Sequence, residues 1–280
     1  EAIKVAKDKR SSEQTGLLKK HKKLIEISDD GSVARTNSGY YGGSSGPDDF
    51  GLVYRHAADI EAMGAGRLTC LAPLKSRDGS PFKPSEQPFL AHDKVRFVGD
   101  PVAAVVAQTE LIAEEALALI DVQYEPLQTI SAPEEALAHP EPRIHDYGDS
   151  GNVHKAVALS FGSVDQGFAE ADHVFEDTFH YAGNTHLPLE THAAVAALDP
   201  DGKLTIWSST QTPHYVHRSI AKVLGLPPSR VRVISTPQGG GFGGKTDPFN
   251  HEIVVCKAAM MLGRPVKVCL SREEVFYCHR

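Results

Sequence analysis

Apolar positions along this chain recur with two different periods, and the change from one to the other marks out the elements. Residues 95–98 predict a short apolar-rich strand, Gly99-Asp100-Pro101 turns, and the β-branched run 102–107 predicts a buried strand. Thr109 then offers an N-cap, Glu110 stands in the first turn, and Leu111, Ala113, Ala116, Leu117 and Ile120 repeat at helical spacing. Strand character returns over 121–124. Further along, Ser163 caps a short predicted helix over 164–171, and the alternation of Phe175, Asp177 and Phe179 against Glu176 and Thr178 predicts a strand over 173–181. Strands follow at 191–198 and 204–208 around a Pro200-Asp201-Gly202 turn. A helix over 212–224 is stopped by Gly225 and Pro227, a strand covers 231–235, a helix runs from about 248 to 262 up to Gly263 and Pro265, and a last strand covers 266–270.

This grammar of strands interleaved with helices predicts an α+β fold. Pro and Gly clusters divide it. Residues 1–50 are unassigned and poorly packed, with a short strand at 24–27 and a Gly/Ser-rich stretch at 38–49; 51–130 form a first domain, 131–155 a linker and 156–280 a second domain. Residues 73–88 read as a surface loop turning at Arg77-Asp78-Gly79-Ser80.

The 280 residues are 41% hydrophobic and 23% charged, the profile of a globular protein of about two domains. The longest apolar run, 101–107, is far short of the ~20 residues of a membrane crossing, and the basic start is followed by polar residues and not by a leader's apolar block. Membrane partners are therefore not expected. The net charge is −7, with residues 1–28 at +4 and the remainder at −11, so a nucleic-acid partner has little electrostatic support. Cys70, Cys256, Cys269 and Cys278 lack a Cys-x-x-Cys pairing, which fits reduced thiols in a cytoplasmic protein. The first residue is Glu, the mark of a removed start or of a piece of a longer chain.

The chemistry concentrates in Gln238-Gly239-Gly240-Gly241-Phe242-Gly243-Gly244-Lys245-Thr246. Five glycines in six residues free the backbone to take positive φ and to converge several N–H groups on one anion. Set between a strand and a helix, the segment reads as an anion cradle, to which the helix N-terminus and Lys245 add positive charge. Gly239 to Thr246 also satisfies G-x-x-x-x-G-K-T, the nucleotide triphosphate loop, so a nucleotide-binding protein is the alternative. Only 34 residues follow Thr246, and their one predicted strand carries no aspartate for Mg²⁺. Histidines are the candidate metal ligands: His180, His186 and His192 at intervals of six, and His214 with His217 on one helix face. They lack a Cys or an ordered third ligand and read as structural. Glu190 and His192 share a strand face and read as a structural pair.

The glycine-rich segment resembles the loop that lines the cofactor in the molybdenum-binding subunit of the xanthine dehydrogenase and aldehyde oxidase family of molybdenum hydroxylases. The likeness extends to the run 93–107, similar to that family's hammerhead domain, and to Leu189-Glu190-Thr191-His192, Ser209-Thr210-Gln211, Leu224-Gly225-Leu226-Pro227, Gly263-Arg264-Pro265-Val266 and Ser271-Arg272-Glu273-Glu274, in the family's order. It covers roughly residues 51–280. The resemblance implies a hammerhead domain followed by the first part of a molybdopterin-binding domain. It implies that Gln211 donates a hydrogen bond toward the metal's oxo ligand, that the Phe242 N–H faces the metal's ligands, that Gly240, Gly241 and Gly243 lie near the pterin, and that Thr246 is close to substrate. Because xanthine-oxidising members carry glutamate where Thr246 stands, it points to an aldehyde, an N-heterocycle or a similar small substrate rather than a purine. The cofactor it implies is a molybdenum-molybdopterin, of the cytosine dinucleotide form, and the partners are a [2Fe–2S] subunit and an FAD subunit in a dimer of heterotrimers. The general-base glutamate is expected beyond this chain.

Overall fold

The computed structural model describes residues 64–68, 86–139, 141–145, 151–154, 159 and 161–278, together with the backbone of three short strands nearer the start. Those strands are β1 (Glu26–Ile27), β2 (Ala34–Arg35) and β3 (Val53–His56). The 73–88 turn up to residue 85, Cys70 and most of residues 1–50 lie outside the described residues. Two compact units form, one from Glu1–Pro126 with Leu187–Arg280 and the other from Leu127–His186.

In the first unit β1 pairs with β2, and β3 pairs antiparallel with β4 (Ala103–Val106). The strand expected over 102–107 is thus present, though half-buried throughout: a two-stranded ribbon cannot cover both of its own faces. Ala104 and Val106, one face of β4, pack on the main core. Helix α1 (Glu110–Leu117) starts as predicted, with the Thr109 hydroxyl accepting the Ile112 N–H at 3.3 Å. No strand forms at 95–98. Asp100 draws the Arg96 N–H to its own carboxylate at 3.2 Å and gives its N–H to the Phe97 carbonyl, closing a turn where a ladder was expected.

The main sheet has the order β7-β6-β5-β8, from β5 (Ala193–Leu198), β6 (Leu204–Ser208), β7 (Val231–Ser235) and β8 (Val266–Cys269). β5 is antiparallel to both β6 and β8, whereas β6 and β7 run parallel. The parallel pair is joined by α4 (Pro213–Val223) and a 3₁₀ turn at Pro228–Arg230, as a crossover requires. α5 (Asn250–Leu262) lies against β5 and β8 and touches α4. Between helices and sheet sits the core, with Ala196, Leu204, Ile206, Val216, Ile220, Ile253, Cys256 and Ala259 fully enclosed. Small alanines on β5 let the helix approach the sheet closely; Gly263 ends α5 in the left-handed region at φ 60°. A short α6 (Arg272–Tyr277) follows β8. Its start is a capping box, with Ser271 and Glu274 bonded reciprocally at 3.1 and 2.6 Å, a signal the sequence carries as S-x-x-E.

In the second unit, α2 (Pro133–Ala138) begins on a proline and α3 (Val164–Glu170) on the predicted Ser163 cap. The strand expected over 173–181 does not form. The segment is extended, but among the described residues no strand pairs with it, and Phe175 and Phe179 stand about nine-tenths exposed. Alternation alone cannot make a strand where no neighbour takes its N–H and C=O groups.

Candidate cofactor-binding site

The sheet topology explains why motifs far apart in sequence meet. β6 and β7 run parallel, so the segments leaving their carboxyl ends emerge side by side: Ser209-Thr210-Gln211 after β6 and the glycine-rich loop after β7. β5 runs the other way, so the segment entering it, which carries Glu190 and His192, lies at the same edge. The exit of β8 completes the edge, with the Leu270 N–H on the His192 carbonyl at 2.9 Å and the Arg272 guanidinium on the Leu189 carbonyl at 2.6 Å. The carboxyl edge of the parallel strands is where α/β sheets hold their ligands.

Two side chains bind the glycine-rich loop from beneath. Gln211 Oε1 accepts the N–H groups of Gly243 at 3.1 Å and Lys245 at 3.2 Å, while its own N–H donates to the Lys245 carbonyl at 2.8 Å. Those two donors settle which end of the amide is oxygen, since only an acceptor can face them. Nε2 is the free end, and it makes no hydrogen bond among the described residues. Glu190 Oε2 accepts the Gly239 N–H at 3.1 Å and the Lys245 ammonium at 2.5 Å. A side chain on Gly241 would meet the Gln211 amide at 2.5 Å, and one on Gly239 would meet Glu190 Cβ at 2.8 Å. At these two positions the space glycine leaves is thus filled by the protein itself. Gly243, at φ +90°, has open space beside it.

The amides of Gly240, Gly241 and Phe242 form a successive run with no acceptor among the described residues. Phe242 is held at φ 51°, a conformation rare for a bulky residue, with its ring three-quarters exposed. Strain of this kind persists only where the surroundings impose it. The Thr246 hydroxyl donates to the Gly243 carbonyl at 2.7 Å, and Thr212 donates to the Thr246 carbonyl, so Thr246 braces the loop with its one O–H.

Several sequence expectations change. Lys245 does not add a free positive charge: it is almost completely buried and neutralised by Glu190. The start of α5 is not contiguous with the glycines, since Gly244 stands six residues before Asn250, and its Phe249 N–H is taken by the Glu252 carboxyl at 2.9 Å. A triphosphate loop needs that lysine on the phosphates, so the nucleotide alternative has no support in the geometry. Glu190 pairs with Lys245 and not with His192, whose buried ring donates from Nε2 to the Gly244 carbonyl at 3.0 Å. His217 turns its Nε2 to the Pro228 carbonyl.

Sequence reasoning missed the layer under the loop. His192 meets Phe249 edge-on at 5.0 Å and His251 at 5.8 Å. Burial, then the neighbouring His192 and Lys245, pulls the His251 pKa down to about 3. Glu252, buried on the same helix turn, accepts from the Ser208 hydroxyl at 2.5 Å, yet desolvation outweighs that bond and raises its pKa to about 7. Nothing in the local pattern of α5 marks a carboxyl as buried; only its packing against Ser208 of β6 does.

Comparisons with known proteins bear on the same region. A family model described as molybdopterin cofactor-binding domain matches residues 144–280, and one described as the a/b hammerhead domain of aldehyde oxidase and xanthine dehydrogenase matches residues 71–128. The chain is 42% identical over 205 residues to the nicotinate dehydrogenase large molybdopterin subunit of Eubacterium barkeri, covering 72% of this chain and 46% of that protein. It is 40% identical over 186 residues to the xanthine dehydrogenase molybdenum-binding subunit of Escherichia coli O157:H7, covering 66% of this chain and 24% of that one. Among solved structures, quinoline 2-oxidoreductase from Pseudomonas putida 86 superposes with a TM-score of 0.71 at 32% identity, over 80% of this chain and 28% of its own. The chain spans between about a quarter and a half of the length of these curated relatives. With the hammerhead and cofactor-binding models matched in order and the loop, Gln211 and Glu190 gathered at one sheet edge, this chain belongs to the xanthine dehydrogenase and aldehyde oxidase family of molybdenum hydroxylases.

Proposed function

We propose that this chain supplies the cofactor-facing edge of a molybdenum hydroxylase that oxidises a small electron-poor substrate with oxygen taken from water. The observation that carries the reading is the set of donors left over at that edge: the Gly240, Gly241 and Phe242 amides and the Gln211 Nε2. All are neutral, so they suit a metal's oxo ligands or a pterin's acceptor atoms without adding charge. The residues present therefore fit the group, whereas the buried Lys245–Glu190 pair does not fit a triphosphate. When bound, the cofactor supplies a metal centre that accepts two electrons from the substrate carbon.

The chain's own residues bind and orient. Gln211, fixed by two backbone N–H groups at its oxygen, presents Nε2 as a donor of set direction; Phe242 offers its N–H; Gly240, Gly241 and Gly243 form the floor beside them. Thr246 stands on the substrate side, its O–H committed to Gly243 so that toward a substrate it can only accept. The relatives named above for nicotinate, quinoline and xanthine support an N-heterocycle over an aldehyde. The finer expectations are part of this proposal: the cytosine dinucleotide form of the cofactor, a [2Fe–2S] and an FAD subunit as electron acceptors in a dimer of heterotrimers, a cytoplasmic location and a general-base glutamate on another part of the assembly. Among the described residues no helix is long and apolar enough to cross a membrane. Metal and nucleotide analysis of the purified assembly tests the proposal: about one molybdenum and one cytidine nucleotide per site are expected, and Mg²⁺-dependent ATP hydrolysis without molybdenum would refute it.

A further inference from the structure

The cofactor-facing loop is held at two points, and the proposed function uses only the one at Gln211. The other is Glu190. Its single oxygen Oε2 receives both the Gly239 N–H at 3.1 Å and the Lys245 ammonium at 2.5 Å, so one carboxylate ties the first glycine of the loop to the lysine that ends it. The tie is reinforced in the backbone, where the Glu190 N–H donates to the Gly239 carbonyl at 3.2 Å. Lys245 is the joint between both anchors. Its ammonium goes to Glu190, its N–H to Gln211 Oε1, and its carbonyl accepts the Gln211 N–H and the Thr210 hydroxyl at 3.3 Å.

A loop of five glycines has no intrinsic reason to keep one shape. Glycine loses more backbone freedom on ordering than any other residue, and three successive amides without acceptors add a further cost. Left to itself the segment would relax until water or its own carbonyls met those amides. Lys245 prevents this, because with its side chain 1% exposed it cannot leave Glu190 without stranding a charge away from water. We propose that Glu190 is a positioning residue that clamps residues 239–245 in the bent form presenting the Gly240, Gly241 and Phe242 amides and the Gln211 Nε2 together. The inference rests on the proposed function for what the loop holds; the clamp itself is a property of this chain.

Residue-resolved amide hydrogen exchange on the protein as isolated tests it, in wild type, Glu190→Gln and Lys245→Met. In Glu190→Gln the amides of Gly239, Gly243 and Lys245 are expected to exchange at least tenfold faster, with those of β5 and β6 unchanged. Lys245→Met is expected to leave Gly239 protected, because the carboxylate still accepts its N–H, while Gly243 and position 245 exchange faster. This split between the loop's two ends distinguishes a clamp from a general loss of stability, and Lys245→Met carries the test alone if Glu190→Gln fails to fold. Unchanged exchange across the loop, or equal loosening of loop and sheet in both variants, would overturn the clamp. Molybdenum per polypeptide in the same samples is expected to fall at least threefold in Glu190→Gln. A loosened loop with wild-type molybdenum would overturn the link from clamp to cofactor, whereas wild-type protein without molybdenum would refute the proposed function and leave the exchange pattern to decide the clamp.

Discussion

Replacing Glu252 by Gln should change how stability depends on pH in a way fixed by its surroundings. The carboxyl's pKa rises from 4.5 to about 7 on folding, chiefly because burial penalises its charged form. Folded protein therefore holds this proton over a range in which the unfolded chain has released it, so Glu252 adds stability at low pH that is lost as pH climbs from about 4.5 to about 7. At about 1.4 kcal/mol per pKa unit, the loss across that window is about 3 kcal/mol. His251 acts in the opposite sense. With its pKa lowered from 6.5 to about 3, it stays neutral in the fold while the unfolded chain takes up a proton, so its contribution grows as pH rises from about 3 to 6.5. The two slopes cancel between about 4.5 and 6.5, and wild type should be nearly flat there as far as these groups are concerned.

Glutamine keeps the shape of Glu252 and removes the titration, leaving the slope of His251 exposed. Urea unfolding of both proteins at unit steps from pH 4 to pH 8 gives the difference in unfolding free energy, in which groups common to both drop out. That difference should favour wild type by about 3 kcal/mol more at pH 4 than at pH 8, with the change centred between pH 5 and 7. A difference constant with pH would refute the reasoning, because it would mean the carboxyl ionises alike in the folded and unfolded chain.

Other expectations follow from the same edge. Gln211→Ala leaves the Gly243 and Lys245 N–H groups without an acceptor, so unfolding free energy should fall by about 1–3 kcal/mol while turnover of the assembled enzyme falls with the fold intact by circular dichroism; unchanged turnover would remove Gln211 from the site. Gly241→Ala drives a methyl to within 2.5 Å of the Gln211 amide oxygen and should lower the melting temperature more than Gly243→Ala, where space is open and only the strain of φ +90° of about 1–2 kcal/mol applies. In a thiol titration of folded protein Cys269, which is exposed, should react first of the three described thiols, while Cys256, buried and with its thiol pushed well up by desolvation, should react only on unfolding.

The elements legible from the sequence are those whose signals are local. Thr109, Ser163 and Gly263 mark helix ends by chemistry that acts within one turn, and β6 and β7 lie at their predicted bounds. Where the outcome depends on a neighbour, local pattern is not enough. Residues 173–181 alternate as well as any strand in the chain and stay unpaired among the described residues, and Asp100 turns an apolar run into a loop by capturing one N–H.

The site shows the same division. The glycine run and Gln211 are visible in the sequence because each carries its chemistry in its own residue types, but the behaviour of Lys245 is not. A lysine ending a glycine-rich loop reads as a free cation until β5 and β7, two strands apart in the sheet, set Glu190 against it. That pairing cancels the positive charge of the loop. With the ammonium neutralised and the inner amides taken by Gln211 and Glu190, the surface that remains is made of uncharged donors. An anion such as a triphosphate would be drawn to a positive loop, whereas the loop as built favours a group held by hydrogen bonds and shape, and its selectivity comes from a charge it has hidden.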